Sequence, residues 1–324
     1  MSQVFKFNLL LSTVLLATML AIAPFLGFSW PEPSSLVAPA FFGGTFGAVG
    51  LIYVYLRPDK KVATFMFNLV VIVVYMSGGI IMSYLLVGMN LPLVDAQLSA
   101  IDRALGFDWP ALIETVSRYP WIADASTFFY KASMLFMMVM LFYLGATNRI
   151  ERVEEYVMLL IVAGILNGVI AGLLPAAGGY VHYNPAQELV GLVTPMTDAA
   201  YMNDFFAIRD GGIRQLSIGG SKGLMTFPSF HTVFSLIMVF ALRGTGWVFA
   251  FAVVFNLGII ASTPIDGGHH FIDVIAAFGL ALVAIAITVP LARWLKTRAP
   301  IPQMEGALAT SGLKLRRASG SGSA

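Results

Sequence analysis

Long apolar runs recur along this chain, each close to the length a helix needs to cross a bilayer. About 20 residues rising 1.5 Å each cover a hydrocarbon core of roughly 30 Å. Such runs lie near 7–28, 36–56, 62–87 and 121–147, then one ending near 174, and then 229–243, 247–261 and 269–294. Charged residues make up 11% of the chain and mean hydropathy is +0.83, against about a quarter charged in a soluble domain. The expected fold is therefore all-α: a polytopic membrane bundle of about eight transmembrane helices. The absence of cysteine excludes disulfides, thiolate chemistry and Cys-based metal sites. A net charge of +2 gives no reason to expect a nucleic-acid partner.

The first run follows Lys6 as a signal-peptide core would, but it is longer than one. It ends in Ser29-Trp30-Pro31-Glu32-Pro33 rather than at a small-residue cleavage site, so it reads as a spanning helix. Residues 1–90 thus form three N-terminal spans. Residues 91–120 differ in texture, with Asp95, Asp102, Arg103, Asp108 and Glu114 spaced among Leu, Ile and Trp109. That pattern predicts amphipathic helices in the headgroup plane. Residues 121–296 form the main transmembrane core, and 297–324 read as a disordered, cytoplasmic Ser/Gly-rich tail. Inside the core, about 175–226 is the longest polar segment, with paired glycines and the cations Arg209, Arg214 and Lys222. A connection of that length is expected to serve as a lid or wall.

Eight spans place both termini on one side. With that side inside, the inner segments collect Lys6, Arg57, Lys60, Lys61, Arg149, Arg152, Arg243 and the basic C-terminal end. The outer ones hold only Arg103, Arg118, Arg209, Arg214 and Lys222. The bias predicts a multi-pass protein of the cytoplasmic (inner) membrane, with the starts of spans six and eight facing the periplasm or an equivalent lumen.

Those two starts hold three of the four histidines, in Phe227-Pro228-Ser229-Phe230-His231-Thr232 and Gly267-Gly268-His269-His270-Phe271-Ile272-Asp273. Ionisable groups at membrane depth are costly and usually kept for function. Four residues apart on a helix is one face, so Asp273 can accept from one ring nitrogen of His269, fix its tautomer and leave the other nitrogen as a nucleophile for phosphorus. His231 is placed to protonate the departing oxygen. Ser229 and the free N–H groups at the start of span six form an anion site. Gly267 and Gly268 allow close backbone approach.

These strings resemble the second and third motifs of the type 2 phosphatidic acid phosphatase superfamily. The second, usually Pro-Ser-Gly-His, appears as Pro228-Ser229-Phe230-His231. The third, Ser-Arg-x-x-x-Gly-x-His-x-x-x-Asp, appears as Ser262 to Asp273 with Thr263 in place of arginine. The resemblance implies a phosphohistidine formed on His269, leaving-group protonation by His231 and orientation by Asp273. The first motif, Lys-x-x-x-x-x-x-Arg-Pro, has no match, since Arg57-Pro58 has Gly50 where lysine belongs. Arg209, Arg214 and Lys222 are the candidate replacements for the missing phosphate cations. The His-His-Phe-x-x-Asp string, the Asp108-Trp109-Pro110 segment and the glycine-rich loop are similar to the inositol phosphorylceramide synthase branch and its bacterial relatives.

The implied protein is a membrane lipid phosphatase or phosphotransferase that needs no cofactor or metal. Its partners are the bilayer, a lipid phosphate or phospholipid substrate, and either water or a lipid alcohol such as ceramide as acceptor. His231, His269, His270 and Asp273 also have the residue types of a metal site, but Ser229 and the cationic loop suit phosphate better. His270, one residue out of register, reads as a structural or supporting neighbour. His182 reads as a solvated loop residue. Lys131 reads either as a functional cation or as a lysine snorkelling or paired with Asp124. A transporter or lipid-binding protein is the other class, but broken helices in inverted repeats, its usual mark, are absent from the sequence.

Overall fold

The computed structural model describes residues 1–193, 195, 197, 199–219 and 224–298. It is an all-α bundle, and no strand occurs among the described residues. The long helices are α1 (Gln3–Ile22), α2 (Val37–Tyr55), α3 (Lys60–Gly88), α6 (Pro120–Ala146), α7 (Ile150–Leu173), α12 (Trp247–Asp266) and α13 (Phe271–Thr297). With the short 3-10 turns that extend α1 and precede α2, these seven are long and apolar enough to cross a membrane. The remaining expected span, the sixth, is α11 (Phe230–Ala241), which at 12 residues rises only about 18 Å and cannot cross alone.

Helix α7 is the axis. Every residue from Tyr156 to Ile161 is fully buried, as expected of a helix apolar on all sides. Around it, side chains of α3, α6, α11, α12 and α13 make one continuous core that includes Tyr75, Leu141, Phe234, Ile237, Ile259 and Ala281. At one end, Val4 of α1 packs with Met158 of α7 and Ala292 and Leu295 of α13, so the start of α1 and the end of α13 share an end of the bundle. Arg243 pairs there with Glu155, and Lys296 with Glu151 at 2.7 Å.

The other end carries both histidine strings and is roofed. Helices α4 (Asp95–Ala104) and α5 (Trp109–Arg118) are the two amphipathic helices expected between residues 91 and 120. Asp108 starts α5 by accepting from the Ala111 N–H at 3.0 Å, and Pro110 sits in its first turn, where a missing N–H does no harm. The long polar segment is not structureless: it folds into α8 (Gly179–Tyr183), α9 (Gln187–Val193) and α10 (Ala199–Arg209). Tyr201, Phe205 and Ile208 of α10 pack on Ile81, Tyr84 and Leu85 of α3, which gives the segment a core of its own. All but the first two residues assigned to the tail lie outside the described residues.

Candidate active site

Helix α12 ends and α13 begins within a tight turn, Gly267 to His270, and this turn carries the nucleophile candidate. The Nδ1 of His269 lies 3.1 Å from Oδ2 of Asp273, and both side chains are buried. The backbone N–H of His269 reaches the Thr263 carbonyl at 3.3 Å. A side chain on Gly267 would come within 2.7 Å of Cδ2 of His269 and 3.0 Å of the Tyr130 hydroxyl, so only glycine leaves the imidazole its place. Gly268 has φ +61°, and a Cβ there would meet the Tyr180 ring at 2.7 Å.

The roof holds this turn through its carbonyls. Trp109 donates from Nε1 to the Pro264 carbonyl at 3.0 Å, and the Tyr180 hydroxyl donates to that of Ile265 at 2.9 Å. The N–H of Thr197 donates to the Asp266 carbonyl at 3.3 Å, and that of Gly179 to the Gly268 carbonyl at 2.6 Å. The buried Asp266 carboxylate takes Ser126 on one oxygen and Thr127, at 2.8 Å, on the other, which ties the turn to α6.

Helix α11 meets α13 directly: the N–H of Ser229 donates to the Asp273 carbonyl at 3.2 Å. Ser229 is fully buried and its Oγ accepts from Thr232 at 3.2 Å. His231, half-buried, stacks on the Tyr130 ring at 4.3 Å and lies within electrostatic reach of His269. Tyr130 therefore touches both strings, with its ring on His231 and its hydroxyl beside Gly267. Among the described residues, the N–H groups of Phe230, His231 and Thr232 have no acceptor. This open first turn can receive an anion.

His270 has a partner set that its sequence position does not reveal. It is fully buried, with Nε2 at 3.3 Å from Oδ1 of Asp95 and Nδ1 at 3.6 Å from Oδ2 of Asp102. Its N–H donates to Oδ2 of Asp273 at 3.0 Å. Asp102 also accepts from the N–H groups of Phe271 and Ile272, both at 2.8 Å. Asp95 accepts from those of Ala177 at 2.9 Å and Gly178 at 2.7 Å. Burial disfavours the imidazolium of His270, but Asp102 and Asp95 outweigh it and push the pKa up to about 9. Burial raises Asp95, yet His270 and the two N–H donors hold it below the usual carboxylate range.

The structure thus brings together His231, His269, Asp273, Ser229, Gly267, Gly268 and His270. Two of the three expected loop cations have contacts of their own. Arg209 donates to the Leu91 carbonyl at 2.7 Å and lies over Phe205. Arg214 stacks over Phe28 and lies against Gly88 at the end of α3. Lys222 lies outside the described residues. Thr263, at the place of the family's arginine, turns its hydroxyl to the Ile260 carbonyl at 2.9 Å. His182 is exposed, as expected, but it lies in α8 rather than in a loop, and its ring meets that of His270 at 5.8 Å. Lys131 is exposed on α6, within electrostatic reach of Asp266, and no ion pair joins it to Asp124 among the described residues.

Sequence reasoning missed Asp95, Asp102, Tyr130 and Asp266 as parts of this site. Asp95 and Asp102 carried a usable signal: seven residues apart is two helical turns, which sets both acids on one face of an amphipathic helix.

A family model described as the PAP2 superfamily matches residues 96–287, from within α4 to well into α13. The chain belongs to the PAP2 superfamily. No curated protein and no solved structure matches it at a significant level. The matched region contains α4 except its first residue, Asp95, together with α5 and both histidine strings, and leaves α1–α3 outside. Membership supports a phosphatase-type enzyme embedded in a bilayer.

Proposed function

We propose that this protein transfers a phosphoryl group from an amphiphilic phosphate through a phosphohistidine on His269. The observation that carries the reading is the buried His269–Asp273 pair beside the open first turn of α11 and His231. Asp273 accepts a hydrogen bond from the Nδ1–H of His269, which keeps the proton on Nδ1 and leaves the Nε2 lone pair for phosphorus. As the N–P bond forms, the bond from phosphorus to the leaving oxygen breaks, and His231 gives that oxygen its proton. The phosphoryl oxygens rest on Ser229 and the N–H groups of Phe230, His231 and Thr232. Water or an alcohol then attacks phosphorus, loses its proton to His231, and the N–P bond breaks. The pairs on Arg243 and Lys296, with the basic turns around Arg57 and Arg149, lie at the opposite end. That distribution supports a site facing outward from the cytoplasm.

One observation favours a lipid alcohol, such as ceramide, over water as acceptor. His269 is only 4% exposed beneath α4, α5 and α8, and such a cover restricts bulk water. This would make the protein a headgroup transferase of the inositol phosphorylceramide type.

The test is mass spectrometry of lipids and free phosphate after the purified protein meets phosphatidic acid, phosphatidylinositol and ceramide, with His269→Ala as control. Free phosphate lost in the variant identifies a phosphatase. A phosphorylated sphingolipid with diacylglycerol identifies headgroup transfer. Equal products from both proteins would refute the reading.

A further inference from the structure

Burying two carboxylates is unfavourable unless each finds a partner, yet α4, a short helix half of whose residues are polar, buries both Asp95 and Asp102. Between them they take two N–H groups at the start of α13, two at the start of the outer segment, and the Nε2 of His270, whose Nδ1 faces Asp102 at 3.6 Å as a charge contact only. We infer that Asp95, His270 and Asp102 form a positioning clamp that sets the Asp273–His269 alignment. The clamp rests on the reading of His269 as nucleophile.

The link to the reacting group is one shared atom. Oδ2 of Asp273 accepts from both the His270 N–H and the His269 ring, while Oδ1 has no partner among the described residues. The carboxylate is therefore oriented by His270 on one side and His269 on the other. Asp102 decides where the His270 backbone sits, because it grips the next two N–H groups along. Asp95 fixes the same ring to the outer segment. A shift of α4 against α13 would rotate Asp273 and turn the His269 imidazole away from its line of attack.

The groups facing His270 are Asp95 and Asp102 from α4, Asp273 from α13, and His182 and Tyr183 from α8. A protonated His270 balances part of the charge of three acids. When it loses its proton, the donor to Asp95 and the attraction on Asp102 weaken together.

The test uses the full chain in detergent, labelled with ¹⁵N-histidine, which yields only four imidazoles to assign. Asp95→Asn and Asp102→Asn keep the side-chain shape and remove the charge. In both variants the His269 ring nitrogens should shift away from the pure Nδ1–H tautomer. Turnover of a lipid phosphate should fall about 100-fold in kcat with KM unchanged, the expected result of misplacement near 1 Å. In the wild type, the His269 and His270 signals should move together as pH rises through about 9. His269 signals that stay at wild-type positions in both variants would overturn the clamp, whether or not stability falls, since that describes a structural staple alone. If the wild type turns over no phosphorylated lipid, the enzymatic reading fails separately, and the imidazole signals still decide the clamp.

Discussion

Two helices in this bundle start with a histidine string, and their first turns are finished in opposite ways. At α13 the opening N–H groups are occupied: His270 donates to Asp273, and Phe271 and Ile272 donate to Asp102. At α11 the N–H groups of Phe230, His231 and Thr232 have no acceptor among the described residues, and the N-cap Ser229 does not fold back on them. Both turns are otherwise built for anions, since a helix N-terminus carries about half a positive charge. Carboxylates have closed one and left the other free. The closed turn holds a side chain in place, and the open one is available to hold a ligand.

That division is most exposed to test at the two histidines. His269→Ala should lower phosphoryl transfer by on the order of 10⁴–10⁶, as loss of a nucleophile does. His231→Ala should lower it by about 10²–10⁴, the range for a proton donor. Phosphate release from a short-chain phosphatidic acid measures both, and equal small effects would break the comparison.

Stability should separate the turns in the opposite sense. Asp102→Ala strands two N–H groups and a buried, charged His270, so unfolding in mixed micelles should show a loss of about 3–5 kcal/mol. Ser229→Ala removes no cap bond to the backbone and should change stability by less than about 1 kcal/mol.

The closed turn should also respond to pH. His270 has a folded pKa of about 9, above the unfolded value of about 6.5. Its contribution is therefore complete below about 6.5 and lost as pH rises through 9. Thermal denaturation from neutral pH to pH 10 should show wild-type stability declining by a few kcal/mol, and His270→Asn should flatten that slope. The smallest effect is expected at the roof: Trp109→Phe leaves the Pro264 carbonyl without its donor, and denaturation should register about 1 kcal/mol.

Much of this architecture is legible in local sequence. Bilayer thickness and helical rise convert apolar runs into spans, so seven of the eight expected crossings appear as long helices. Span six departs because the helix runs only from the Ser229 cap to Ala241, 12 residues, after a non-helical stretch at 224–229. The His269–Asp273 spacing is legible for the same reason, since four residues make one turn wherever the helix lies. The fates of Arg209 and Arg214 are not legible. Charge and loop position made them phosphate candidates, but Phe28, Phe205 and the Leu91 carbonyl stand far away in sequence and claim them in space.

The sequence by itself determined the solvent this protein lives in, the helices that cross it, and the two histidine strings proposed to form the site, because each follows from composition or from the period of one helix. Only the tertiary structure decided which helix start is closed by acids and which stays open. Asp95 and Asp102 lie some 170 residues before the turn they serve, and a contact over that separation depends on how α4 packs across the bundle, which no local period encodes.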